Sequence, residues 1–290
     1  MLACVGDLVD DIVVRLGGPI QIASDTNAVI ERRRGGSAAN VAAVASRITG
    51  SSRFLGEVGD DSRGTALLSE MRGDGVDVSF VRQRGRTGSI VVLVDESGER
   101  SFLTDPGSAR DLDDPQPAWL AGVDVLHVPL YSLAAGTIAA TAHTLIEWAR
   151  GRGIDVSVDV SSVSVIEQLG AGEVRRLLVE LDPDAVFANA DEARALGIDA
   201  AIGSAVTFVK AGRDPVTVFR AGVDAVRVPA APIPMLADST GAGDAFAAGV
   251  LTHPGWRGDV EAACRGGHAA AASILRRHAG PRINETEAGS

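Results

Sequence analysis

Asp238-Ser239-Thr240-Gly241-Ala242-Gly243-Asp244 runs directly into Ala245-Phe246-Ala247-Ala248-Gly249-Val250-Leu251. Small residues end a loop and an apolar helix begins. Gly241 and Gly243 let the backbone come close to a ligand. The first turn of the helix offers unpaired N–H groups and the positive end of the dipole. Together these form a nest for a phosphate or a developing negative charge. Asp244 does not belong in a simple phosphate nest, because a carboxylate repels a phosphate. An anion nest beside a carboxylate suits a reaction that stabilises an anion while a neighbouring hydroxyl loses its proton, as in phosphoryl transfer to an alcohol. The competing reading is structural: Asp238 or Ser239 caps a core helix, and Asp244 sits in a first turn that favours acids.

A second glycine pair opens Gly35-Gly36-Ser37-Ala38-Ala39-Asn40-Val41-Ala42, and a small-residue helix continues to about Ile48. This string is either a tight turn before a packed helix or a close backbone approach to a small ligand, with Asn40 supplying donor and acceptor. Near the N-terminus, Leu2-Ala3-Cys4-Val5 reads as a buried strand opening at Gly6-Asp7. Ligands of open α/β sheets gather at such strand ends. Asp10 and Asp11 follow, as solvated loop carboxylates or as acceptors for ligand hydroxyls.

These strings resemble the motifs of the ribokinase-like carbohydrate kinases, the phosphofructokinase B family. The C-terminal one is similar to Asp-Thr-x-Gly-Ala-Gly-Asp, with Ser239 in place of the usual Thr, and the N-terminal one to Gly-Gly-x-x-x-Asn-x-Ala. Gly56-Glu57-Val58-Gly59-Asp60-Asp61 resembles the family's Gly-x-Val-Gly-x-Asp segment, and Gly6 with Asp11 matches its Gly-to-Asp spacing. The resemblance implies ATP-dependent phosphorylation of a sugar hydroxyl. Asp244 would be the base, and the N–H groups of Gly241, Ala242 and Gly243 the anion hole. Asp11, Gly35, Gly36 and Asn40 would hold the sugar. Asn189 in Asn189-Ala190-Asp191-Glu192 would lie beside the phosphates, and Glu192 would organise Mg²⁺, often through water. The same four residues also read as a helix cap with acids in the first turn. Lys210-Ala211-Gly212 falls where the family's nucleotide loop lies, and Lys210 either neutralises phosphate or snorkels at a strand end. His268 would lie beside adenine or be a structural histidine. Asp238 and Thr240 match positions that support a monovalent cation such as K⁺. Two departures stand out: Pro215 replaces a common Gly, and Asp159-Val160-Ser161-Ser162 lacks the family's following Arg.

Net charge is −11 and Lys210 is the only lysine, which argues against a broad nucleic-acid surface. No Walker A loop is present, and no Gly-x-Gly-x-x-Gly follows the first strand, which disfavours a dinucleotide-dependent dehydrogenase. No apolar run reaches the roughly 20 residues of a membrane span, and the N-terminus lacks a secretory pattern. Cys4 and Cys264 fit neither a metal site nor a disulfide framework. A cytoplasmic protein with no membrane partner is expected.

Strand and helix patterns alternate from Ala121 onward, which predicts a mainly parallel sheet flanked by helices on both faces. Strands are expected at Val123–Val128, Ile154–Val160, Ala185–Ala188, Val206–Lys210 and Val216–Phe219, with helices at Ala134–Arg152 and Val174–Leu181. Ile12-Val13-Val14, Ala28-Val29-Ile30 and the hairpin pattern from Thr87 to Thr104 read as a smaller antiparallel sheet. The expected organisation is therefore an α/β, ribokinase-like kinase domain of residues 1–11, 35–86 and 105–290, carrying a discontinuous β lid of residues 12–34 and 87–104. The resemblance adds closure of that lid over the sugar and a homodimer through it. With 7 Phe, 3 Trp and 1 Tyr there is little surface for stacking a nucleobase. Arg32, Arg33 and Arg34 read as exposed lid charges, although alternation turns one or two toward the site. A neutral monosaccharide is the expected acceptor (ribose-, fructose- or ketodeoxygluconate-like), with a nucleoside kinase or a non-catalytic sugar or nucleotide sensor as alternatives.

Overall fold

The computed structural model describes residues 1–97, 99–230, 232 and 239–278. Its centre is a nine-stranded sheet. The order from one edge is Val223–Val228, Asp214–Arg220, Val206–Ala211, Ala185–Asn189, Asp155–Asp159, Val125–Pro129, Leu2–Val5, Ser52–Leu55 and Val76–Asp77. The seven strands from Val206–Ala211 to Val76–Asp77 are parallel, and the two at the other edge are antiparallel additions. Leu2–Val5 is buried throughout, and its side chains alternate between two cores. Leu2 and Cys4 face one, Ala3 and Val5 the other.

Helices Ser37–Thr49, Ser62–Gly73, Ala242–Leu251 and Val260–His278 cover the first face. Helices Thr137–Gly151, Val163–Leu169, Ala171–Leu181 and Ala190–Leu196 cover the second. On the first face, alanines bring the helix Ser37–Thr49 down onto the sheet. Ala242–Leu251 is buried from Ala245 to Leu251. It meets Val260–His278 through glycines: a Cβ on Gly249 would lie 2.7 Å from Gly266 O and from Gly267 Cα. This close crossing fixes the helix whose first turn carries Asp244.

A four-stranded sheet stands apart, in the order Ala28–Gly35, Val9–Leu16, Ser89–Val94, Arg100–Asp105. Its outer pairs are antiparallel, but the central pair is parallel. The parallel pair arises because the two middle strands come from separate excursions of the chain rather than from one hairpin. The first of these strands begins at Val9, so Asp10 and Asp11 belong to the sheet and not to a loop.

Several elements differ from the sequence expectation, among them the short strand Arg82–Gln83, which pairs with Glu57–Val58. The helix expected over Ala134–Arg152 is divided at Gly136, whose φ is 80°, into Tyr131–Ala134 and Thr137–Gly151. The helix expected at Val174–Leu181 starts at Ala171, with Val163–Leu169 ahead of it and Gly170 at φ 88° between them. The edge strand Val223–Val228 was not anticipated, because its mixed, largely exposed residues carry little apolar signal.

Gly249→Val should cost about 1–3 kcal/mol in urea unfolding, as overpacking of a filled contact does. Gly172→Ala, at a helical glycine whose added Cβ meets nothing within 4 Å, should change stability by less than about 1 kcal/mol. Wild-type stability in Gly249→Val would show that the two helices are not held this closely.

Candidate active site

Gly241 is the N-cap of Ala242–Leu251 with φ 75°, a left-handed conformation that favours glycine, and no side chain among the described residues caps the helix. The Ala242 N–H is already used, donating to Ser239 O at 3.2 Å. Asp244 is held from the N-terminal half of the chain. Ser37 Oγ donates to its Oδ1 at 2.8 Å and Asn40 Nδ2 to its Oδ2 at 2.9 Å. Burial raises the Asp244 carboxyl to about 6; Asn40 and Ser37 pull it down, and Asp159 adds to the rise. Ser37 was not singled out from the sequence, although it lies inside the string that contains Gly36 and Asn40.

The glycine pair before Ser37 has a steric cause. A Cβ on Gly35 would lie 2.0 Å from Asp11 Oδ1, and one on Gly36, where φ is 104°, would lie 2.3 Å from Asp7 O. Gly35 therefore leaves room for the Asp11 carboxylate itself. Asp10 and Asp11 separate cleanly by face. Asp10 is buried between Arg63 Nε and an Arg32 guanidinium nitrogen, both at 2.6 Å, and is structural. Asp11 faces a cavity of about 620 Å³ that Asn40, Thr240 and Gly241 also line. Its Oδ1 is buried with no partner among the described residues. Burial first, then Asp7 and Asp10, push the Asp11 carboxyl up to about 7, while Arg33 opposes.

A second group of charges lies on the other side of Asp244. Lys210 Nζ donates to Asp159 Oδ2 at 2.6 Å, with both side chains largely buried. The same ammonium would be 3.3 Å from a Cβ on Gly243. Lys210 is thus tucked against the glycine loop rather than snorkelling into solvent. Asn189 and Glu192 form a reciprocal helix cap. Asn189 Oδ1 accepts from the N–H groups of Asp191 and Glu192 at 2.9 Å, and Glu192 Oε2 accepts from Asn189 N at 2.7 Å. Burial and then Asp159 raise the Glu192 carboxyl to about 7. Asp159 was noted in the sequence only for the missing arginine after it, yet it is the carboxylate that fixes Lys210.

The remaining expected residues are more scattered. Gly212, φ 63°, opens the two-residue turn between Ala211 and Asp214, and an added Cβ there would meet nothing within 4 Å. The glycine is thus required by the turn. His268 packs on Phe246 with ring centroids 5.1 Å apart, and its Nε2 lies 3.3 Å from Val228 O. Thr240 Oγ1 accepts from an Arg100 guanidinium nitrogen at 2.8 Å. Asp238 lies outside the described residues. No cluster of three or more metal-ligating side chains occurs among the described residues, and no helix there is long and apolar enough to cross a membrane.

Comparison with known proteins places this architecture. Adenosine kinase from Sinorhizobium meliloti superposes with a TM-score of 0.82 at 24% identity, over 95% of this chain and 93% of its own, so the fold is ribokinase-like. The family model described as pfkB family carbohydrate kinase matches residues 1–287. A fructokinase of Klebsiella pneumoniae is 32% identical over 237 residues, 75% of either chain. An ATP-dependent ribose-1-phosphate kinase of Halopiger xanaduensis is 32% identical over 265 residues, 83% of this chain and 80% of its own. The chain belongs to the pfkB family of carbohydrate kinases, which are ATP-dependent phosphotransferases.

Asp11 sets a pH dependence of stability. Its folded carboxyl keeps the proton to about pH 7, whereas an unfolded Asp releases it near pH 4. The folded state therefore binds more protons in that window, and this group's contribution to stability falls as pH rises through it. Asp11→Asn removes that loss. Its melting temperature relative to wild type should increase between about pH 4.5 and about pH 8. A difference that stays flat over this range would show that Asp11 titrates normally.

Proposed function

We propose that the chain transfers the γ-phosphoryl group of ATP to a hydroxyl of a small sugar bound in the Asp11-lined cavity, with Asp244 as the base. The observation that carries this reading is the position of Asp244. It sits in the first turn of Ala242–Leu251, between the cavity lined by its partner Asn40 and by Gly241 on one side and Lys210 on the other. Asp11 and Asn40 hold the sugar by its hydroxyls. Asn40 and Ser37 orient the Asp244 carboxylate so that one oxygen faces the reacting hydroxyl. A carboxyl near 6 is ionised at neutral pH and takes the proton late, as the loose transition state of phosphoryl transfer allows. The N–H groups of Gly241 and Gly243, with Lys210 beside them, stabilise charge on the transferring group, while that of Ala242 stays with Ser239 O. Arg100 links the small sheet to Thr240, which supports the reading of that sheet as a lid that excludes water.

Asp159 and Glu192 present two carboxylates against one ammonium, and burial first, then Asp159, raises the Glu192 carboxyl. This donor chemistry fits Mg²⁺, which binds through one or two carboxylates together with substrate phosphates. When bound there, Mg²⁺ would neutralise charge on the ATP phosphates. Asn189 would lie beside those phosphates, and Gly212 and His268 toward the nucleotide. Of the two residues expected at a K⁺ site, Asp238 lies outside the described residues and the Thr240 hydroxyl accepts from Arg100.

Asp244→Asn should lower kcat by about 10²–10⁴-fold with little change in sugar KM. In the wild type, kcat should fall as pH drops below about 6, where the base becomes protonated. Turnover within tenfold of wild type in the purified variant would remove Asp244 from the role of base. Gly243→Val, which pushes a branched side chain toward Lys210 Nζ, should cost about 10²–10³-fold in kcat. Normal turnover there would show that the turn does not stabilise the transferring group.

A further inference from the structure

The small sheet has no turn of its own to set its central register. Val9–Leu16 and Ser89–Val94 lie side by side and parallel, and they come from separate excursions of the chain. A hairpin fixes its pairing through the turn, and this pair has none. The register matters because Asp10 and Asp11 are adjacent. Side chains alternate along a strand, so a slip of one residue would turn Asp11 away from the cavity and Asp10 toward it. As paired, Asp11 is in register with Ile90, and both line the cavity.

We propose that the start of the helix Ser62–Gly73 is the key that sets this register, and that Arg63 is a positioning residue for Asp11. The positioning role rests on the reading of Asp11 as a contact for the acceptor sugar.

Two residues at that helix start reach three strands of the small sheet. Arg63 Nε donates to Asp10 Oδ1 at 2.6 Å, and Arg63 Nη2 to Arg33 O at 3.4 Å. One guanidinium thus holds Val9–Leu16 by a side chain and Ala28–Gly35 by its backbone. Glu70 Oε1, farther along the same helix, lies 3.5 Å from Arg63 Nη1 and steadies the side chain. Asp61, the N-cap of the helix, holds the approach to the other central strand. Its Oδ2 accepts from Thr87 N at 2.8 Å and its Oδ1 from Thr87 Oγ1 at 2.6 Å. Thr87 is buried and lies just ahead of Ser89–Val94. The two anchored segments then meet, because Asp10 N donates to Gly88 O at 2.9 Å. The seat is close: a Cβ on Gly64 would lie 2.9 Å from Thr87 Oγ1.

The Asp10 side chain is only 2% exposed, with Arg63 on one oxygen and Arg32 on the other. A buried ion pair returns little net stability, because desolvation offsets the attraction. What it supplies is direction, since a guanidinium meets a carboxylate in few orientations. A slipped strand would part Asp10 from Arg63 and leave buried charge without its partner, which is costly. It would also move the Asp11 carboxylate out of the space that Gly35 leaves for it. The penalty for misregister therefore falls on the aspartate that does not face the cavity.

Hydrogen exchange of the ATP-free protein reads the anchor without turnover. In Arg63→Gln, exchange over residues 9–16 and 89–94 should rise at least tenfold, with no change over Leu2–Val5 and Val125–Pro129 of the main sheet. Arg63→Lys, which keeps a charge for Asp10, should stay within about threefold of wild type. Kinetics with Mg·ATP and fructose or ribose read the positioning. Arg63→Gln should raise the acceptor KM about tenfold, with kcat and the KM for ATP within about threefold of wild type. In an Asp11→Asn background the same change should move the acceptor KM by less than about threefold, because Arg63 acts through Asp11. Arg53→Gln breaks an ion pair in the main sheet, Arg53–Asp77, and should leave the acceptor KM unchanged. If Arg63→Gln does not fold, Asp10→Asn with Arg63→Gln, which removes both charges of the pair, carries the same expectations. The proposal is overturned if exchange over the two strands stays at the wild-type level or rises equally in the main sheet. It is also overturned if the acceptor KM is unmoved while the strands loosen, or if the changes at Arg63 and Asp11 add. A wild type that phosphorylates neither sugar, with loosening confined to the small sheet in Arg63→Gln, keeps the register key and contradicts the acceptor reading. Wild-type turnover with unmoved exchange does the reverse.

Discussion

A single carboxylate ties the two ends of the chain together. Asp244 begins the helix Ala242–Leu251, and its two oxygens are taken by Ser37 and Asn40 from the helix Ser37–Thr49. Both helices lie on the same face of the central sheet. Their approach requires alanines along one and glycines behind the other, where Gly249 meets Gly266 and Gly267. Displacing either helix would break the hydrogen bonds that aim the carboxylate. Packing on that face and the proposed chemistry at its edge are therefore one constraint, since the groups proposed to react lie in the first turns of elements fixed by close backbone contact.

The site is held against electrostatic opposition. Asp244, Asp11 and Glu192 all have carboxyls raised by burial first and by neighbouring acids after it. Such groups favour their neutral forms and weaken the folded state as pH rises. Hydrogen bonds from Asn40 and Ser37, and the buried Lys210–Asp159 pair, offset part of that cost. Stability is given up where the proposed function calls for a poised acid and an acceptor for hydroxyls, a pattern common at reactive sites. Arginines that look dispersed in sequence converge on one cavity of an acidic molecule.

Glycine serves different purposes at different places in this chain. At Gly35 it makes space for the Asp11 carboxylate, at Gly36 and Gly241 it permits a left-handed backbone, at Gly249 it admits a neighbouring helix, and at Gly212 it only closes a turn. Only some of these roles concern a ligand, so a glycine-rich motif needs its surroundings before it can be called a binding loop.

The parallel sheet, the helices on both faces, and the strings around Gly241 and Gly35 were legible in the sequence because their causes are local. A buried strand needs a continuous apolar run, and a left-handed turn favours glycine wherever it lies. Asp10 and Asp11 could not be separated in this way. Alternation says that they face opposite sides, but only the placed sheet says which side holds Arg32 and Arg63 and which holds the cavity. The same limit hid the roles of Ser37 and Asp159, the parallel pairing inside the small sheet, and the edge strand Val223–Val228. It also hid the arginine lining of that cavity, because Arg15, Arg34, Arg47, Arg100 and Arg277 come from five different elements. Local sequence sets the conformation each segment can adopt. Which charges meet depends on long-range packing, because Coulomb and hydrogen-bond energies follow distance in space rather than separation along the chain.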